Sequence, residues 1–240
     1  MQHDMTHVQH TIAVTGIDTG VGKSYCTGLL ASYLFGQSAS VTTMKLVQTG
    51  CSGVAEDILL HRKLMNISLT EDDQEGLTNP YVFAMPASPN LAAALEGKTI
   101  ATTALDEAAN KLKLRYQWLI VEGAGGLMVP LNDETLLIDY LATHEWPMIL
   151  VTSPKLGSIN HTRLSLEAIA NRGMGLLGLV YNLHGSHPME IVRDTLRECR
   201  CALKDCGFAD RIVLLPDIRE SSAANWQTIL KPLQASLHSE

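Results

Sequence analysis

Thr11-Ile12-Ala13-Val14-Thr15-Gly16-Ile17-Asp18-Thr19-Gly20-Val21-Gly22-Lys23-Ser24 is the stretch that decides the fold. An apolar, β-branched run ends in glycines, and Lys-Ser then opens a helical pattern. Glycines let backbone N–H groups curl around an anion, and a helix N-terminus adds its positive dipole end. Lys23 suits the charge of β- and γ-phosphates, and the Ser24 hydroxyl suits Mg²⁺, a hard cation that prefers oxygen. The commoner pattern is G-x4-G-K-[ST]. Here Ile17 stands at its first glycine, and Gly16 lies one residue earlier, so this is a variant phosphate loop.

Outward from the loop, strands and helices alternate. Apolar runs at 11–15, 41–47, 118–121, 148–152, 177–181 and 212–215 have the both-face character of strands buried on two sides. Helical patterns fall at about 22–35, 55–65, 100–115, 135–145, 159–172, 188–205 and 221–237. The alternation predicts a single P-loop NTPase-like α/β domain over 11–240, its mostly parallel central sheet covered by helices on both faces. Residues 1–10 are polar and are expected to form a disordered tail. The irregular segment 66–99, broken by Pro80, Pro86 and Pro89, reads as an ordered excursion over the sheet.

Composition narrows the function class. The 240 residues are 46% hydrophobic, too apolar for a disordered chain. A net charge of -7 disfavours a sequence-independent grip on nucleic acid or anionic membrane. No run approaches the roughly 20 apolar residues of a membrane helix, and no secretory h-region is seen. Cys199, Cys201 and Cys206 cluster, but no fourth ligand completes a zinc set. Reduced thiols and a cytoplasmic location are expected.

Two further features carry chemistry. Trp118-Leu119-Ile120-Val121-Glu122-Gly123-Ala124-Gly125-Gly126 is a strand ending in a carboxylate and glycines. In an open parallel sheet, ligands bind at strand carboxyl ends, so Glu122 should face the crevice that Ser24 faces. Lys45 lies among apolar residues in the second strand. It is either paired with an anion or an exposed edge lysine, and periodicity weighs the two evenly. Asp57, after Glu56 at a helix start, reads first as compensation of the helix dipole.

Five motifs together resemble the dethiobiotin synthetase family. They are Val14 to Ser24; Lys45-Leu46-Val47-Gln48-Thr49-Gly50; Asn79-Pro80-Tyr81-Val82-Phe83 with Pro86-Ala87-Ser88-Pro89; Val121 to Gly126; and Lys155-Leu156-Gly157-Ser158-Ile159-Asn160-His161. The resemblance implies conversion of 7,8-diaminononanoate, CO₂ and ATP into dethiobiotin, ADP and phosphate. One amine becomes a carbamate, the γ-phosphate activates it as a carbamic–phosphoric anhydride, and the second amine closes the ring.

It further implies that Gly20, Val21, Gly22, Lys23, Ser24 and Tyr25 hold the phosphates, together with Gly123, Ala124 and Gly125. Ser24, Asp57 and Glu122 would surround Mg²⁺, and Lys45 and Lys23 would be catalytic. Asn182, Leu183, Pro216, Asp217 and Ile218 would frame adenine. Thr19 and Thr49 would contact substrate. Lys155, Leu156, Gly157 and Asn160 would reach it across a homodimer interface. The chain departs from the family pattern at Ser24, Leu46, Asn90 and Leu183, and none of these removes a needed charge. Two alternatives are a nucleotide-switched partition ATPase and an amide-forming ligase with another substrate. Partition ATPases carry an extra lysine early in the loop, where this chain has Ile17 and Asp18.

Overall fold

The computed structural model describes residues 9–216 and 224–235. The first half runs β1 (His10–Gly16), α1 (Lys23–Gly36), β2 (Val41–Lys45), β3 (Val47–Thr49), α2 (Glu56–Met65), α3 (Glu71–Gln74), β4 (Tyr81–Phe83), α4 (Pro89–Leu95) and α5 (Thr102–Arg115). The second runs β5 (Trp118–Glu122), α6 (Leu137–Ala142), β6 (Met148–Thr152), α7 (Ser158–Ala170), β7 (Leu176–Asn182), α8 (Met189–Asp205), β8 (Ile212–Leu215) and α9 (Gln227–Ala235).

Six strands form one sheet in the order β2-β5-β1-β6-β7-β8, and every pairing is parallel. Parallel neighbours need crossovers, and the helices supply them while covering both faces. Alternate residues of each strand feed opposite cores. Ala13, Leu119, Val121 and Leu150 join α5 to α8 on one face. Ile12, Val14, Ile120 and Val151 join α1 and α9 on the other. This period-2 division explains why the strands read as continuously apolar.

The expected strand at 41–47 is two strands. β2 stops at Lys45, and β3 leaves the main sheet to pair with β4 in a small second one. Backbone bonding fixes the break: Lys45 N donates to Thr78 O, and Leu46 N donates to Glu122 O. Asn79 Nδ2 holds Lys45 O at 2.7 Å. The excursion at 66–99 is ordered, and its α3 opens with a capping box between Thr70 and Asp73. The expected tail lies outside the described residues except Gln9 and His10, and His10 already belongs to β1. The helix expected at 221–237 is described over Gln227–Ala235. Among the described residues no helix is long and apolar enough to cross a membrane. All five cysteines are free, and no group of three or more His, Cys, Asp or Glu side chains able to hold a metal occurs among the described residues.

Candidate active site

The phosphate loop joins β1 to α1. Gly20 and Gly22 have φ of 71° and 100°, a left-handed region that glycine enters without strain. Gly22 is also the N-cap of α1. A Cβ there would lie 2.2 Å from Asn182 Nδ2. Asn182, the last residue of β7, donates to Val21 O at 2.9 Å and so ties the loop to the sheet. Lys23 folds over the loop and donates to Asp18 O at 2.9 Å. Burial, with the Lys45 charge nearby, lowers its pKa to about 8.

Lys45 and Glu122 end adjacent strands and are register partners. Lys45 Nζ lies 2.7 Å from Glu122 Oε1, 2.6 Å from Asp57 Oδ2 and 3.1 Å from Gly123 O. Ser24 Oγ donates to the same Glu122 Oε1 at 2.9 Å. Burial favours neutral forms of both charged groups, but the pairing outweighs it. The Lys45 pKa is held above the usual lysine value, and that of Glu122 well below the usual carboxylate range. Of the two readings left open for Lys45, the paired one holds. Asp57 does more than compensate a dipole, since it grips Lys45.

A cavity of about 750 Å³ opens over this cluster. Its walls include Thr19, Gly20, Gly22, Lys23, Ser24, Tyr25, Lys45, Thr49, Asp57, Glu122, Ala124 and Gly125. Residues 86–89 of the excursion and Val47 and Gln48 of β3 close one side. A smaller cavity of about 100 Å³ shares Gly20, Gly22 and Tyr25 with it and is also lined by Leu29, Asn182, His184, Leu215 and Pro216. The Tyr25 and His184 rings lie nearly parallel, 6.4 Å apart.

Several expected residues stand elsewhere. The Val21 side chain packs in the core, so its part in the loop is through its backbone, whose carbonyl accepts from Asn182. Leu183 packs against the opposite core because its N–H pairs with Leu215 O at the end of β8. Asp217 and Ile218 lie outside the described residues. Lys155, Leu156, Gly157 and Asn160 line neither cavity. They sit exposed between β6 and the first turn of α7, with Leu156 at 100% exposure.

Sequence reasoning missed His61, a fully buried histidine on α2. Its Nε2 meets Glu122 Oε2 at 2.8 Å, and its Nδ1 meets Thr43 Oγ1 at 2.9 Å. The available signal was the i, i+4 spacing from Asp57, which puts both side chains on one helix face.

The donor set fits Mg²⁺. Ser24, Asp57 and Glu122 offer hard oxygens, and two carboxylates are what Mg²⁺ takes when phosphates and water fill its other positions. The Lys45 ammonium, seated between the carboxylates, marks this spot as built to hold positive charge.

The chain matches the family model described as an AAA domain over residues 10–200. It is 48% identical over 182 residues to the ATP-dependent dethiobiotin synthetase BioD 2 of Pasteurella multocida, covering 76% of this chain and 85% of that one. It is 43% identical over 225 residues to the ATP-dependent dethiobiotin synthetase BioD of Chlorobaculum tepidum, covering 92% and 93%. Among solved structures it is similar to pNOB8 ParA bound to nonspecific DNA, with a TM-score of 0.52 at 12% identity, covering 97% of this chain and 94% of that one. That last likeness concerns the fold alone.

Proposed function

The chain belongs to the dethiobiotin synthetase family, and on that premise we propose that it closes the ureido ring of dethiobiotin from 7,8-diaminononanoate and CO₂ at the expense of ATP. The observation that carries the reading is the Lys45–Asp57–Glu122 cluster beside the phosphate loop. Phosphoryl transfer needs positioning and charge neutralisation more than covalent help. Two buried lysines beside oxygen donors meet that need.

The residues divide the work as follows. The backbone from Gly20 to Tyr25 cradles the phosphates, and Gly123, Ala124 and Gly125 approach from the facing turn. Ser24, Asp57 and Glu122 hold Mg²⁺, which offsets phosphate charge when bound. Lys23 neutralises the β- and γ-phosphates. Lys45 stabilises the carbamate formed on one substrate amine and the charge that develops as the γ-phosphate moves to it. The second amine then attacks the activated carbonyl and phosphate leaves. Thr19 and Thr49 contact substrate in the larger cavity. Asn182 and Pro216 border the adenine in the smaller one, together with Tyr25.

The exposure of Lys155, Leu156, Gly157 and Asn160 supports a homodimer in which this segment completes the pocket of the partner subunit. A partition-type switch is not favoured, because Ile17 and Asp18 stand where those proteins carry lysine and the charge is -7. Nucleotide hydrolysis with Mg–ATP and bicarbonate, followed with and without diaminononanoate, tests the reading. ADP release should depend on the diamine. Release indifferent to it would argue for the switch.

A further inference from the structure

Glu122 divides its two oxygens. Oε1 takes Lys45 and Ser24 at the cavity floor, and Oε2 takes His61. Behind His61 stands a fixed chain. Thr43 Oγ1 accepts from Arg62 Nη1 at 3.0 Å, and Arg62 makes two 2.8 Å bonds to Asp73. Glu122, His61, Thr43, Arg62 and Asp73 are all buried. An ionised Glu122 only accepts, so the proton sits on His61 Nε2. Arg62 only donates to Thr43, so Thr43 Oγ1 meets Nδ1 with either its own proton or its second lone pair.

The reach from α2 to β5 is possible because α1 is narrow where the two helices cross. A Cβ on Gly28 would lie 3.2 Å from His61 Cα and 2.6 Å from Leu64 Cδ1. Asp57 and His61, one turn apart on α2, therefore grip the Lys45–Glu122 pair from both ends.

We propose that His61 is a positioning residue for the cation site. By holding Oε2, it keeps Oε1 of Glu122 turned toward Ser24 and the cavity. This is the role that partners behind metal ligands serve elsewhere, where their loss costs about 10–100-fold in metal affinity. His61 touches neither cavity, so its effect runs through Glu122. The proposal rests on the Mg–ATP reading of the site.

The test is Mg²⁺ titration of the full chain with a non-hydrolysable ATP analogue, alongside ADP binding in EDTA. In His61→Leu the Mg²⁺ midpoint should rise about tenfold or more, while ADP binding in EDTA stays within about twofold. His61→Gln, which returns an N–H donor toward Oε2, should recover most of the shift. His61→Asn, whose amide stops short of Glu122, should behave as His61→Leu and decides the matter should the leucine variant not fold. An unmoved Mg²⁺ midpoint in the Leu or Asn variant would overturn the role, as would equal weakening of binding with and without Mg²⁺. Absence of Mg²⁺-dependent nucleotide binding in the parent protein would instead remove the underlying reading, and the proposal with it.

Discussion

Lys45 is buried and pairs with two carboxylates, Glu122 fully buried and Asp57 partly so. Removing one partner of a buried ion pair leaves uncompensated charge and costs about 3–5 kcal/mol. Lys45→Ala should therefore lower stability on that scale in EDTA, and Mg²⁺ should restore part of it, because the freed carboxylates gain a cation. Turnover should fall by about 100-fold or more, as when a preorganised donor is lost. Thermal melts with and without Mg²⁺, beside a turnover assay, check both.

Lys23 adds a pH signature. Its folded pKa, lowered from 10.5 to about 8, lies below the unfolded value. Between these values the unfolded chain binds more protons, so this residue makes the free protein more stable as pH rises through that window. Bound phosphates favour the ammonium, so nucleotide binding takes up a proton there. Affinity for Mg–ADP should fall above pH 8 by up to about tenfold per pH unit, and calorimetry at several pH values measures it. A flat profile from pH 8 to 9.5 would show that Lys23 does not meet phosphate as an ammonium.

At the scale of elements, the α1–α2 crossing sets the distances. Gly28→Val would press against the backbone of His61 and cost about 1–3 kcal/mol of overpacking. It should also weaken Mg²⁺ binding, since α2 carries Asp57 and His61 together. A stable variant with unchanged Mg²⁺ affinity would show that the close crossing is incidental.

Much of this level was legible beforehand. The apolar runs at 118–121, 148–152 and 212–215 are strands, because burial on both faces leaves a continuous apolar signature. The break after Lys45 was not legible, since hydrophobicity continues through Leu46 and Val47 while the backbone partners change to Thr78 and Glu122. β4 and α4 were hidden by the prolines. Pro89 in fact occupies the first turn of α4, where a missing N–H costs nothing. His61 escaped notice because one buried histidine on an amphipathic helix looks like packing until Glu122 is placed beside it.

At the scale of the molecule, the parallel sheet gathers distant positions at one edge. Residues 16–24, 45, 122–125 and 182 meet at strand carboxyl ends, as their motifs required. Lys155, Leu156, Gly157 and Asn160 sit at the same edge but are exposed, which no local pattern reveals. If a partner subunit uses them, the protein should run at twice its 26.1 kDa chain mass by light scattering. Leu156→Asp should then raise the diamine KM severalfold with Mg–ADP affinity unchanged. A monomer with normal diamine affinity would remove the interface.

Carbon tracing tests the central claim most directly. With diaminononanoate, Mg–ATP and ¹³C-bicarbonate, mass spectrometry should find dethiobiotin carrying one ¹³C in its ureido carbonyl, one ADP formed per ring closed. Folded protein that turns over ATP but yields no labelled ring would contradict the account.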